Sequence, residues 1–226
     1  MKILGIDTTT QFMNIGICDN LRIYTYSLHS GKLLEGVLMP TIKRILAVLG
    51  WQPKDIDYFV CSVGPGSFTG IRIGLATIKG FAWSLDKPVV GISSLDTIAR
   101  NAISFYGAVI APILDAKRNL VYCSIYKNLK GRLRRVTPYM LLTEHDFYKR
   151  AKGVDIVLGD AVDLYKDNII RNIRGVIILD RDYWYPRPDN LIILALERIQ
   201  DKKISSAFKI EPLYLYPKEC QIKIIN

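Results

Sequence analysis

The 226 residues are 50% hydrophobic and 23% charged, with a formal net charge of +10, a composition that supports a packed core in one large domain or two small ones. No stretch of ~18 apolar residues lacks a charge, which argues against a membrane span, and Asp7 breaks the first apolar run too early for a signal peptide; a soluble, cytoplasmic protein is expected. The four cysteines form no C-x-x-C pair and the two histidines, His29 and His145, stand far apart, so reduced core thiols and no metal site are expected.

The opening segment reads as three strands, Lys2–Asp7, Met13–Cys18 and 21–28, separated by polar turns at Thr8–Gln11 and Asp19-Asn20. A helix follows over Gly31–Leu49, with Leu34, Leu38, Ile42, Ile45 and Leu49 at three- and four-residue spacing and Gly50 as its stop. Then come a buried strand Tyr58–Ser62, a Gly/Pro loop, a helix Ser67–Leu85, a strand Pro88–Ile92 and a third helix capped by Ser93 or Ser94 and ending near Ser104.

After residue 107 the opening layout returns. Ala108–Asp115 is an apolar strand ending on Asp, Leu120–Lys127 is a strand, Asn128–Gly131 a turn and Arg132–Val136 a third strand. A helix Glu144–Lys152, strands Val154–Leu158 and Gly175–Leu179, a Pro-rich loop Tyr185–Pro188 and a helix Asn190–Gln200 complete the pattern. The repeat points to an internally duplicated α/β fold with lobes at 1–106 and 107–226. The first 113 residues carry a net +3 and the remainder a net +7. Such an excess fits an anionic partner, RNA or an acidic protein face, and equally an ordinary solvated surface.

A carboxylate at the carboxyl end of a strand, beside a turn with free N–H groups, can hold a hydrated metal ion next to phosphate. Asp7 and Asp115 both occupy such positions, and two facing turns of this kind are how the actin/Hsp70/sugar-kinase superfamily grips ATP. Asp is also common simply as a turn residue.

The most informative string is Gly64-Pro-Gly-Ser-Phe-Thr-Gly-Ile-Arg-Ile-Gly74. It is neither a Walker loop nor G-x-G-x-x-G; it reads as a strand, a rigid turn and a helix that Ser67 could cap. Gly inside a helix costs about 1 kcal/mol against Ala. Gly70, Gly74 and Gly80, with Ala76 and Ser84, therefore imply close approach of another backbone. With only Arg72 and Lys79 charged, this helix is expected to be buried all round, in the core or at an interface.

That string, together with ILGIDTTT at 3–10, HSGKLL at 29–34, DAKRNLVY at 115–122 and EPLYLYP at 211–217, resembles the TsaB (YeaZ) family along the whole chain. Asn119-Leu120 stands where the family often has Gly-Glu, and Tyr216 where it often has Arg. The resemblance implies a duplicated actin/Hsp70/sugar-kinase-like (ASKHA) α/β fold with two lobes and a degraded nucleotide cleft. Asp7, Thr8, Thr9, Thr10 and Asp115 would be the remnant of the phosphate site. No cofactor is required, and any ATP or ADP binding would be weak.

The resemblance further implies pairing with TsaD, a related metal-binding protein that transfers threonylcarbamoyl to N6 of adenosine 37 in tRNA, with a TsaE-type ATPase joining them. The chain would homodimerise when alone, and its tRNA contact would be indirect or weak. The partner or dimer interface would include Leu34, Leu38, Ile45, Ser67, Phe68, Gly70, Gly74, Thr77, Gly80 and Phe81. No catalytic or metal residue is assigned, because the sequence lacks the His-x-x-x-His motif of the catalytic paralogue. Two rivals are weaker. A free-standing kinase would need a Gly-Gly adenosine motif where residues 150–226 offer only isolated Gly153, Gly159 and Gly175, and a metallopeptidase would need clustered ligands.

Overall fold

Strands covered on both faces need apolar side chains at nearly every position, and β1 (Lys2–Asp7) has five buried residues in succession. In the computed structural model, which describes residues 1–20 and 22–217, β1 lies between β2 (Phe12–Asp19), antiparallel, and β4 (Tyr58–Gly64), parallel. With β3 (Arg22–His29) and β5 (Val89–Ser93) they form a sheet in the order β3-β2-β1-β4-β5. Leu21, the expected start of the third strand, lies outside the described residues, as does Cys220. The other three cysteines are free and buried.

Helices α1 (Leu34–Val48) and α2 (Phe68–Ser84) cover one face of this sheet, contributing Leu34, Leu38, Ile42, Leu75 and Ile78 to one apolar cluster with Leu4, Ile6, Ile15 and Phe59. A short 3₁₀ turn, Gly31–Leu33, precedes α1. The short α3 (Ser94–Arg100) follows β5 directly, with Ser93 accepting the Leu95 N–H as its cap. The opposite face is covered by α6 (Pro188–Gln200), whose Leu191, Ile192 and Ala195 meet Ile3, Cys18, Val60, Val90 and Ile92. An added Cβ at Gly16 would lie 2.6 Å from the Pro188 carbonyl oxygen, so a side chain there would push α6 off the sheet.

The second sheet repeats the order: β10 (Met140–Thr143), β7 (Leu120–Cys123), β6 (Val109–Asp115), β11 (Ile156–Leu158), β12 (Ile177–Ile178). β6 takes the place of β1, flanked by an antiparallel β7 and a parallel β11. The expected strand Leu120–Lys127 is broken into β7 and β8 (Tyr126–Leu129), and both pair with β6. The expected strand Arg132–Val136 is β9 (Arg132–Arg135), paired with β8, and β10, which the sequence pattern does not announce, pairs with β7. Thr137 spans the break: its hydroxyl accepts the Ile125 N–H at 2.9 Å and its carbonyl accepts the Ser124 hydroxyl at 3.0 Å. Helices α4 (Glu144–Arg150) and α5 (Val162–Asn172) bury Phe147, Val162 and Ile169.

The fold is the duplicated actin/Hsp70/sugar-kinase-like type. The division at residue 106 is corrected: one compact unit comprises 1–101 and 185–212, the other 102–184 and the described part of 213–226. α6 belongs with the first sheet because its apolar stripe is what covers that sheet's second face. No helix among the described residues is long and apolar enough to cross a membrane.

Candidate functional site

β1 delivers Asp7 to a turn that closes on itself. One carboxylate oxygen, Oδ1, accepts the Thr9 N–H at 2.9 Å and the Thr9 hydroxyl at 2.7 Å. The other oxygen has no hydrogen-bond partner among the described residues, and neither does the Ser62 hydroxyl, which lies near it but outside bonding geometry. Burial pushes the Asp7 carboxyl up from its ordinary range, opposed by the two Thr9 bonds. Burial, reinforced by Asp7, also pushes the neighbouring Cys61 thiol up to about 12, leaving it inert.

The Gly-Pro-Gly-Ser-Phe-Thr-Gly loop clasps this turn. The Ser67 N–H donates to the Thr9 carbonyl at 2.7 Å, and the Thr8 hydroxyl donates to the Gly70 carbonyl at 2.7 Å. A Cβ at Gly66 would lie 2.3 Å from the Thr9 carbonyl oxygen, one at Gly70 1.9 Å from the Thr8 carbonyl oxygen, and one at Gly74 2.3 Å from the Thr8 hydroxyl. The Thr10 hydroxyl accepts the Phe12 N–H at 3.3 Å. Asp7, Thr8 and Thr9 are each 1% exposed. Asp7 Oδ1 and the Thr8 and Thr9 hydroxyls are thus bonded within the chain, and Asp7 Oδ2 is left over. One expectation is corrected: Gly70 and Gly74 pack against Thr8 of the same chain, Gly70 against its carbonyl and Gly74 against its side chain, rather than against a second chain.

The corresponding turn of the second unit is built differently. Lys117, Arg118 and Asn119 all have left-handed backbones, with φ of 64°, 55° and 58°. Asp115 accepts the Lys117 N–H at 2.7 Å and forms an ion pair with the Lys117 ammonium. The Asp115 N–H in turn donates to Asp160 Oδ1 at 2.9 Å. Burial raises the Asp160 carboxyl to about 6, and the charge of Asp115 adds to the rise. Asp160 was not singled out from sequence, although Leu158-Gly-Asp repeats the strand-then-Asp pattern of β1 and β6. Tyr216, the departure from the family pattern, donates its hydroxyl to the Ala116 carbonyl at 2.7 Å and packs edge-on against Tyr122.

Outside these turns, the first unit exposes apolar and small residues on α1 and α2. Phe68 is 47% and Trp83 68% exposed, with Ala76 and Gly80 open between them and nothing within 4 Å of a Cβ at Gly80. The Arg72 guanidinium lies over the Phe68 ring, 3.7 Å from its centre. On the α1 side, Leu33 is 70% and Val48 81% exposed, and Met39 and Gly36 face out. The expectation that α2 is buried all round is therefore corrected to one buried and one open face. Of the residues assigned to an interface, Ser67, Phe68 and Gly80 are exposed. Leu34 and Leu38 are buried in the unit's own core, and Phe81 stacks on Phe59 at 5.5 Å. Ile45 and Thr77 are half-buried, the Thr77 hydroxyl bonding back to the Ile73 carbonyl. Met39, Val48 and Trp83 were missed because apolar periodicity marks the core face and says nothing of apolar residues on the other one.

Residues 31–171 match the family model described as "TsaD: tRNA N6-adenosine threonylcarbamoyltransferase". The chain is 33% identical over its whole length to the tRNA threonylcarbamoyladenosine biosynthesis protein TsaB of Bacillus subtilis (strain 168), covering 99% of that protein. It is 25% identical over 95% of its length to the protein of the same name from Escherichia coli (strain K12), covering 94% of it. Among solved structures, YeaZ from Pseudomonas aeruginosa superposes with a TM-score of 0.80 at 23% identity, over 95% of this chain and 99% of that one.

Proposed function

The chain belongs to the TsaB (YeaZ) family, and from that premise we propose that it is the non-catalytic partner of a TsaD-type subunit in tRNA threonylcarbamoyladenosine biosynthesis. The carrying observation is the outer side of α1 and α2, where Leu33, Met39, Val48, Phe68 and Trp83 are exposed, as are the small residues Gly36, Ala76 and Gly80. Large apolar side chains exposed on the outer sides of two helices fit an interaction surface. The small residues on the same helices would let a facing helix approach to the low end of the usual 8–10 Å separation. A catalytic paralogue of the same fold would supply the facing helices; alone, a second copy of this chain would take that place, and a TsaE-type ATPase would join the assembled pair.

The two histidines support the accessory role. His29 packs edge-on against Phe12 and His145 lies in α4, and the sequence carries no His-x-x-x-His motif. The Asp7 turn, buried and with Oδ1 already taken up by Thr9, supports a subunit that needs no bound nucleotide.

The test is co-elution of the chain with the TsaD-type protein of the same organism, with mass measured by light scattering. Gly80→Leu and Trp83→Asp should each abolish the heterodimer while leaving the melting temperature within a few degrees of the parent, as expected for exposed positions. A heterodimer that survives both substitutions would overturn this assignment of the face.

A further inference from the structure

Between Asp115 and Glu144 the chain carries seven basic residues and no acidic one. Five of the seven, Lys127, Lys130, Arg132, Arg134 and Arg135, lie on β8, on β9 or in the turn between them. All but Lys127 are exposed, and none of the five enters an ion pair among the described residues. β9 pairs only with β8 among the described strands, so its three arginines line an open sheet edge. One charged side chain suffices to discourage strand addition at such an edge; five cations without a counter-ion create a field.

Aromatic rings accompany the cations. The Arg135 guanidinium lies over the Tyr139 ring at 3.9 Å. Tyr106 is 73% exposed and stands beside the turn, where a Cβ at Gly131 would lie 3.5 Å from its ring. The hairpin is also fixed in advance. Lys130 and Gly131 both have positive φ, as a two-residue hairpin loop of the primed type requires. The buried Asn128 accepts the Gly131 N–H at 2.9 Å and donates to the Ile103 and Phe105 carbonyls at 2.7 and 2.8 Å. A preset surface loses little entropy on binding.

We propose that the β8–β9 hairpin is an RNA-binding surface, with Arg132, Arg134 and Arg135 taking the phosphate backbone and Tyr106 and Tyr139 offering faces to unpaired bases. Arg132 and Arg134, two residues apart on a strand that rises ~3.3 Å per residue, repeat along the edge at about 6.6 Å. The guanidinium fork matches phosphate oxygens in pairs, and exposed aromatic and arginine planes are what single-stranded RNA stacks on. These rings give a folded RNA the advantage over an acidic protein face. The proposal rests on the preceding reading only for which RNA is bound, the tRNA substrate of the complex.

The probe is an unmodified tRNA transcript titrated by fluorescence anisotropy against the full chain at several salt concentrations. Binding by the parent should saturate at about 50 mM salt with a Kd of about 1–100 µM, the range of phosphate-driven association. The triple variant Arg132→Gln, Arg134→Gln, Arg135→Gln should bind at least about tenfold more weakly, and its slope of log K against log salt should fall by about 2–3. A second triple, Lys166→Gln, Arg171→Gln, Arg174→Gln, removes the same charge elsewhere in the unit and should change affinity less than about twofold. Replacement of the three arginines by lysine should keep the salt slope, which guards against a folding defect. The proposal is overturned if the two glutamine triples lose affinity equally, if the parent shows no saturable binding, or if polyglutamate displaces the tRNA as readily as a second tRNA does. Co-elution of the arginine triple with the TsaD-type subunit should be unaffected, so loss of the complex and loss of RNA binding are read separately.

Discussion

The two units use the same strand-Asp-turn element and finish it in opposite ways. In the first, Asp7 turns inward, accepts two bonds from Thr9 and is sealed by the glycine-bearing start of α2. In the second, the helix after the parallel strand, α5, brings no glycine clasp. Instead Gly159 passes close to Ile113, where a Cβ would lie 2.0 Å from the carbonyl oxygen, and Asp160 takes the Asp115 N–H. Duplication kept the carboxylate as a turn-closing group in both copies. Only the first copy added a helix that grips the turn with one face and leaves small and apolar residues on the other.

The hardest break in that comparison should come from Gly70. Gly70→Ala forces a Cβ into the Thr8 carbonyl and should lower stability by about 3 kcal/mol or more in chemical denaturation. Gly80→Ala, ten residues along the same helix but in open space, should gain up to about 1 kcal/mol from helix propensity. Equal losses at the two positions would show that the inner and outer faces of α2 are not distinct. Next in size is the turn itself. Asp7→Ala leaves the buried Thr9 N–H and hydroxyl without an acceptor and should cost about 2 kcal/mol, whereas Asp115→Ala, with Lys117 at the surface, should cost less than about 1 kcal/mol. If Asp115→Ala proved the costlier, the second turn would be the sealed one.

The last effect is a pH dependence. Folded Asp160 holds its proton up to about pH 6, where the unfolded carboxyl titrates near 3.8. The folded state therefore binds more protons across that window, and this carboxyl's contribution to stability falls as pH rises through it. Asp160→Asn, whose side-chain oxygen can still accept the Asp115 N–H, should raise stability by about 1–2 kcal/mol at pH 7.5 and add little at pH 4. Melting curves at the two pH values decide it; an equal gain at both would mean that the charge is not the cause.

Much of the architecture is legible in the sequence where local pattern is strong. Lys2–Asp7 and Val109–Asp115 declare themselves by apolar runs ending on Asp, and Gly50, with φ of 66°, ends the first helical segment as expected. α5 was missed because Asp163, Lys166, Asp167 and Asn168 dilute its apolar stripe to little more than Val162 and Ile169. The β7–β8 break was missed because the single polar residue Ser124 hardly interrupts the apolar run Leu120–Tyr126, and the bonds at the break come from Thr137, outside that run. Of the three glycines of α2 whose spacing demands a close backbone, Gly70 meets one, Gly74 meets the Thr8 side chain, and Gly80 faces open space. Spacing reports that such an approach occurs; it carries no information on whether the approaching backbone, here Thr8, belongs to the same chain.

The return of α6 to the first sheet has a consequence for the order of synthesis. When residue 101 leaves the ribosome, the first sheet has all five strands and only one of its two helical coats. Ile3, Val60, Val90 and Ile92 then face water until Leu191, Ile192 and Ala195 arrive, with the whole of residues 102–184 made in between. The second unit can close its core first, as an insertion within an unfinished host. Nascent chains stalled shortly before residue 188 would present an uncovered apolar sheet face, the surface that chaperones bind and that aggregates when they do not.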